Sequence, residues 1–357
     1  MTRRGLESPH PTPREPDGPR ASPRGAVLVM GAGAVGCWIG GCLQAAGVPV
    51  VLVGRPRVLD GLRTHGLTLT DLEGGARNVP AHALDLRESA DGVAPPALVL
   101  LCVKSGATAS AATELARAVP PGTLVVSMQN GLSNAATAQA AAPGLMVRRG
   151  MVPFNVAELA PGHYHRGTSG VLAAQDHALL RDWLPRFAAA GVPLQVHSDL
   201  APLQWGKLLL NLNNAVNALS GLPLRAQLLQ RDYRVCMAAL IAEALAALQA
   251  ADIEPAKLTP LPPRALPAAL RLPTAVFRVL ALRMLRMDAH ARSSMADDLA
   301  QGRPTEIDAL CGEVVRLAQR HGQSAPVNAR IAELVRAWPG DRRVLTGAQL
   351  RAALGLA

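Results

Sequence analysis

Aromatic residues are scarce in this chain: Phe, Trp and Tyr make up 3% of its 357 residues, against 49% apolar residues overall. That shortage excludes an aromatic-rich β-sandwich, and a core of Ala, Leu and Val suits the close-packed layers of an α/β fold or a helical bundle. Cysteine is sparse too. The five, at 37, 42, 102, 236 and 311, are odd in number and show neither CxxC nor Cys/His ligand spacing. No disulfide framework and no metal site is therefore expected, and a reducing cytoplasm is the expected location. No run reaches about 18 consecutive apolar residues, so a membrane-spanning helix is not expected. Lysine is the most informative shortage, since only Lys104, Lys207 and Lys257 are lysines among 36 basic residues. Where Arg has replaced Lys nearly everywhere, a position that keeps an amine is a candidate for chemistry.

The length suits two domains with a sizeable core. The net charge of +10 is scattered, except over residues 264–303, where seven Arg oppose three Asp. No zinc finger, aromatic-basic alternation or helix-turn-helix accompanies it, so a nucleic-acid partner is not expected. Nor is a membrane partner, because Arg278, Arg283 and Arg286 spread over about 140° of helix and leave little apolar face. Residues 1–24, rich in Pro and poor in apolar side chains, predict a disordered extension without the apolar segment of a secretory signal.

From Gly25 onward, strand-length apolar runs alternate with helical stretches: strands at Ala26 to Met30, Val50 to Val53, Ala97 to Val103 and Leu124 to Met128, and helices from the glycine run to about Ala46 and over Ala107 to Val119. A hairpin is expected around Leu67 to Val79. This alternation predicts a parallel, doubly wound Rossmann-type domain over residues 25–198. Beyond it the pattern turns to long helices, Trp205 to Leu219, Asp232 to Ala250, Thr274 to Ala300, Glu306 to His321 and Pro326 to Trp338, an all-helical C-terminal domain over 199–357. The Pro-rich stretch Glu254 to Pro273 reads as a loop or lid.

Gly31-Ala32-Gly33-Ala34-Val35-Gly36 joins a strand to a helix, where glycines permit a tight turn and close approach of a pyrophosphate to the helix N-terminus. Past the second strand, an NAD site wants an acid to bind the ribose hydroxyls. Here the chain reads Val53-Gly54-Arg55, and the nearest acid is Asp60, which points to NADP(H) with Arg55 on the 2′-phosphate. A solvated Arg in an Arg-rich chain is the plainer alternative. Lys104 and Asn130 stand just past two further strands, so all four features converge on the ligand edge of such a sheet.

In the helical half, Lys207, Asn211 and Asn214 fall within about 60° of one another on an otherwise apolar helix, a polar stripe facing either a substrate or a neighbouring helix. Ser293-Ser294-Met295 and Thr305-Glu306-Ile307-Asp308 form a second polar cluster, in which Thr305 reads as an N-cap and Glu306 as a first-turn carboxylate.

Taken together, the GAGAVG run, Arg55, Lys104, Gln129-Asn130-Gly131, the W-x-K-L-x-x-N beginning at Trp205, and SSM followed by TEID resemble the ketopantoate reductase family. The spacing agrees, Arg55 standing 24 residues after Gly31 and Glu306 12 after Ser294. The resemblance implies NADPH-dependent reduction of 2-dehydropantoate to pantoate in a cleft between a Rossmann domain and a helical domain, a cytoplasmic step toward pantothenate and coenzyme A. It makes Lys207 the general acid and Glu306 its companion, puts Lys104 and Asn130 beside nicotinamide and substrate, and gives Asn211 and Ser294 to the substrate. The family commonly carries a second Asn four residues after Asn211; this chain has Ala215 there and Asn214 one place earlier, so Asn214 is its expected replacement. The chemistry agrees: hydride addition to a ketone creates an alkoxide, which an ammonium stabilises and protonates. The partner is a small 2-oxo acid, and a homodimer is compatible with the sequence. Two alternatives stand beside this reading: a reductase of another 2-oxo acid, and a non-catalytic NADP(H) sensor that would need neither Lys207 nor Glu306.

Overall fold

The computed structural model describes residues 25–280 and 291–356. The expected extension over residues 1–24 lies outside them, as does the middle of the helix expected over 274–300.

Among the described residues, twelve strands form two sheets. They are β1 (Val27–Met30), β2 (Val50–Val53), β3 (Leu67–Asp71), β4 (Ala76–Val79), β5 (Asp85–Arg87), β6 (Leu98–Leu101), β7 (Leu124–Ser127), β8 (Met146–Met151), β9 (Val156–Ala160), β10 (His163–Arg166), β11 (Leu172–Gln175) and β12 (Leu194–His197). The main sheet runs β12-β11-β8-β7-β6-β1-β2-β5. Val27 of β1 pairs with Val50 on one side and Leu98 on the other, both in parallel. Successive strands therefore step away from β1 in one direction and, from β6 on, in the other, leaving a crevice where the order reverses. That is where an open α/β sheet binds ligands. These central strands are continuous apolar runs because helices cover both of their faces.

The doubly wound expectation holds for this sheet with one amendment: β11 pairs antiparallel with β8, making the sheet mixed. The expected hairpin is β3–β4, but it also pairs in parallel with β10, and β9 completes a second sheet, β4-β3-β10-β9. This small sheet packs on helix Ala34–Ala45. Trp38 of that helix meets Phe154 edge-on at 5.2 Å, with the Arg166 guanidinium 5.2 Å from its ring centre.

The helical half is built around Arg231–Ala250, long and apolar enough to span a membrane by length and composition, but here buried among its neighbours. From this helix Glu243 accepts bonds from the backbone N–H groups of Val327 (2.8 Å) and Asn328 (2.9 Å), satisfying amides that the start of helix Pro326–Asp341 leaves free. Two expected helices are interrupted. The one over Trp205 to Leu219 is Ala201–Asn211 followed by Asn213–Ser220, with a turn at Leu212. The one over Thr274 to Ala300 has ended before Ser293, whose extended backbone caps a separate helix, Ser294–Ala300. The cause is tertiary: Leu224 N–H bonds the Ala291 carbonyl at 2.8 Å, and Ser293 N–H bonds Asn217 Oδ1 at 2.9 Å.

Candidate active site

The glycine run turns at the carboxyl end of β1. Gly31 has φ +116°, and a Cβ there would lie 2.6 Å from the Val103 nitrogen; one at Gly36 would lie 2.1 Å from the Gly31 carbonyl oxygen. Both approaches require glycine. Gly33 has nothing within 4 Å on its Cβ side, an open face beside the first-turn amides of helix Ala34–Ala45, which have no intrahelical partner. Ala32 is buried, its N–H held by the Val53 carbonyl at 2.7 Å. These features fit a dinucleotide pyrophosphate. Past β2, Arg55 is exposed and its guanidinium has no polar partner among the described residues. The nearby acid, Asp60, is taken by Arg63 at 2.7 Å.

At the ends of β6 and β7 the two halves of the chain meet. Lys104 Nζ reaches Asp298 Oδ2 at 2.6 Å, and the other oxygen of Asp298 accepts from Arg303 Nε at 3.1 Å. Asp298 is 1% exposed, so the two cations compensate a carboxylate withdrawn from water.

Asn130 lies between the expected acid and its companion. Its Oδ1 accepts from Lys207 Nζ at 2.8 Å, and its Nδ2 donates to Glu306 Oε2 at 3.0 Å. Lys207 also donates to the Val152 carbonyl. Burial pushes the Lys207 ammonium down from 10.5 to about 8, with Glu306 pulling the other way. Glu306 is itself the N-cap residue of helix Ile307–Arg320, which moves the cap one place from Thr305, and its side chain caps nothing. Instead its Oε1 accepts from the Ser105 N–H at 3.2 Å and the Ser105 hydroxyl at 2.9 Å. The helix can start so close because Gly131 (φ +86°) has no side chain; a Cβ there would lie 2.9 Å from the Ala309 carbonyl oxygen.

The asparagines divide. Asn213 is buried against Gln227 in a reciprocal amide pair (3.1 and 3.2 Å), and Asn217 ties Leu222 to Ser293. Asn211 and Asn214 are half-buried, with side-chain amides unpartnered among the described residues. The Asn214 carbonyl accepts from the Ser293 hydroxyl at 3.2 Å, which sets Asn214 beside exposed Ser294. Ala215, by contrast, is 1% exposed.

Sequence reasoning missed Asp298, Ser105, Thr108 and Asn134. An Asp inside a short apolar helix was a signal for the first; the others carry no periodic signature. All five cysteines are free thiols, and burial pushes Cys37, Cys102, Cys236 and Cys311 up to about 12, which removes them as nucleophiles.

The family model for ketopantoate reductase PanE/ApbA matches residues 27–178, and the model for its C-terminal part matches residues 199–338. The 2-dehydropantoate 2-reductase of Halobacterium salinarum is 30% identical over 318 residues, 87% of this chain and 97% of that protein. The enzyme of the same name from Pyrococcus horikoshii is 25% identical over 319 residues, 87% and 96% of the two chains. Among solved structures, the PanE/ApbA family ketopantoate reductase of Ralstonia eutropha JMP134 superposes with a TM-score of 0.75 at 30% identity, over 89% of this chain and 99% of that one. A D-mandelate dehydrogenase solved with NADH and anilino(oxo)acetate shares the fold, with a TM-score of 0.71 at 18% identity over 88% and 99% of the chains.

Proposed function

The chain belongs to the ketopantoate reductase family, and on that premise we propose that it reduces 2-dehydropantoate to pantoate with NADPH, using Lys207 as general acid. Residues 25–198 form the cofactor domain and 199–357 the substrate domain. Gly31 to Gly36 cradle the pyrophosphate, Arg55 takes the 2′-phosphate, and Lys104 and Asn130 border the nicotinamide. When bound, the nicotinamide supplies the hydride. Lys207 then protonates the oxygen that becomes the new hydroxyl, while the Val152 carbonyl and Asn130, itself held by Glu306, keep its Nζ in place. Asn211, Asn214 and Ser294, whose side-chain polar groups have no partner among the described residues, bind the carboxylate and hydroxyl of the substrate.

The observation that most supports this reading is the Lys207–Asn130–Glu306 chain of contacts at the sheet edge that carries the glycine run. A sensor of NADP(H) would have no need of it. Replacement of the expected second Asn by Ala215 favours a second reading, the same reduction of a different 2-oxo acid. Oxidation of NADPH by purified protein across a panel of 2-oxo acids separates the two. The highest kcat/KM with ketopantoate is expected; a better substrate elsewhere in the panel selects the second reading, and no turnover at all rejects both.

The cofactor has its own test, sharpened by the NADH in the mandelate dehydrogenase structure. NADPH should bind more tightly than NADH, and Arg55→Glu should weaken NADPH about tenfold to a hundredfold while leaving NADH nearly unchanged. Fluorescence titration of both cofactors reads this. Equal affinities in the unmodified protein would reject the role of Arg55.

A further inference from the structure

A line of side chains behind Glu306 has all its protons pointing one way. The Ser127 hydroxyl donates to Gln129 Oε1 (2.9 Å), Gln129 Nε2 to Thr108 Oγ1 (2.7 Å), and Thr108 Oγ1 to Asn134 Oδ1 (3.0 Å). Asn134 Nδ2 donates to Ser105 Oγ (3.1 Å), and Ser105 Oγ to Glu306 Oε1 (2.9 Å). Ser127, Gln129, Thr108 and Asn134 are all buried, between 0% and 7% exposed. A hydroxyl has one proton to give, so each link fixes the direction of the next, and the line ends on a group that only accepts. Such a chain polarises each bond in the same sense.

We propose that Ser105 is a positioning residue, the last link of this buried donor chain, which holds Glu306 so that its carboxylate orients the Asn130 amide toward Lys207. The inference rests on the role given to Lys207 above. With Ser105 on Oε1, the other carboxylate oxygen is presented to Asn130, which can meet it only with its NH2 group. The amide oxygen must then face the ammonium. The reverse amide would set oxygen against carboxylate and NH2 against ammonium, so locating Glu306 decides the sense of Asn130. Glu306 is also the charged group that bears on Lys207; Lys104 and Arg303 are both taken up by Asp298.

Removing the Ser105 hydroxyl leaves Glu306 Oε1 only the longer bond from the Ser105 N–H, 3.2 Å, and leaves Asn134 Nδ2 only the Asn130 carbonyl. A loosened carboxylate supports the Lys207 ammonium less, so the midpoint of Lys207 should move further down from about 8, not back toward 10.5. With only three lysines in the chain, 13C-lysine labelling gives three side-chain signals, assignable with Lys104→Arg and Lys257→Arg. In Ser105→Ala the Lys207 midpoint should fall by about 0.5 to 1 pH unit. Its kcat should drop roughly tenfold to a hundredfold, with the KM for NADPH within about twofold. Ser105→Thr, which keeps the hydroxyl, should restore both readouts. If Ser105→Ala does not fold, Ser105→Cys, a near-isostere and poor donor, should shift the midpoint in the same direction. A Lys207 midpoint unchanged in the folded Ala or Cys variant overturns the proposal. The titration needs no turnover, so it decides the matter even if the panel of 2-oxo acids finds no substrate.

Discussion

Lys207→Ala should fold and bind NADPH yet turn over its best 2-oxo acid about 100-fold to 10,000-fold more slowly, the usual weight of a general acid. The expectation follows from where the amine sits. It is held by Asn130 Oδ1 and the Val152 carbonyl, and burial brings it down to about 8. An acid with that midpoint is still mostly protonated at neutral pH, but releases its proton far more readily than an unperturbed lysine. The sign of the pH dependence follows. Turnover in the unmodified protein should be level on the acid side of about 8 and fall above it, as the ammonium is lost. Glu306→Gln removes the charge that raises this midpoint, so its alkaline fall should begin at lower pH. Lys207→Arg should not rescue the rate, because a guanidinium keeps its charge and its proton. Single-turnover NADPH oxidation against pH, with cofactor binding measured separately, reads all of this. Near-normal rates in Lys207→Ala would make Lys207, Asn130 and Glu306 a structural network between the two halves of the chain.

The parts of the molecule legible in the sequence are those fixed by local chemistry. The central strands β1, β2, β6 and β7 are apolar runs ended by turn-forming or polar residues, and the glycine run could be read because its spacing stands directly between a strand and a helix. What could not be read is set by distant partners. In β9 and β10 the sequences VAELA and HYHR carry no clean alternation, and they become strands because β10 pairs with β3, about a hundred residues earlier. The helix through 291–293 is broken by Asn217 and Leu224, not by Gly or Pro. Glu306 becomes an N-cap residue because Ser105 and Asn130 hold its side chain away from its own helix.

The site shows the same division. Lys207 stood out by rarity, and the asparagines by their cost in a helix, but the stripe alone could not say that Asn213 and Asn217 are structural while Asn211 and Asn214 are free. That distinction came from Gln227 and Ser293. Asp298, 194 positions from its partner Lys104, had no local sign of its role beyond being one of two adjacent carboxylates in a short helix.

The largest stability loss is expected far from this site, at Arg234. Its side chain is 0% exposed and has no carboxylate partner among the described residues. Its donors go to the carbonyls of Leu270 (3.0 Å), Leu228 (2.9 Å) and Leu272 (2.8 Å), and its guanidinium lies 4.3 Å from the Phe277 ring centre. Burial lowers its pKa, with Arg231 adding to the effect. One planar fork thus fastens the end of the Pro-rich stretch and the following helix, Thr274–Leu280, onto the central helix of the C-terminal half, so the stretch read as a loop or lid is anchored at this end. Arg234→Met fills much of the volume but takes the donor from two buried carbonyls and one half-buried one, each buried loss costing about 1–3 kcal/mol. A total of about 3 kcal/mol or more should lower the melting temperature by roughly 4 °C or more for a chain of this size. Lys in the same place, a point charge that cannot span three carbonyls, should recover only part of that. Because the loss is local in origin, trypsin should cut Arg234→Met first at Arg264, Arg271 or Arg278, before any site in the main sheet, while kcat well below the melting temperature stays near that of the unmodified protein. A melting temperature within a degree or two of the original, with an unchanged digestion pattern, would mean that the segment is held by its apolar contacts and that the guanidinium adds little.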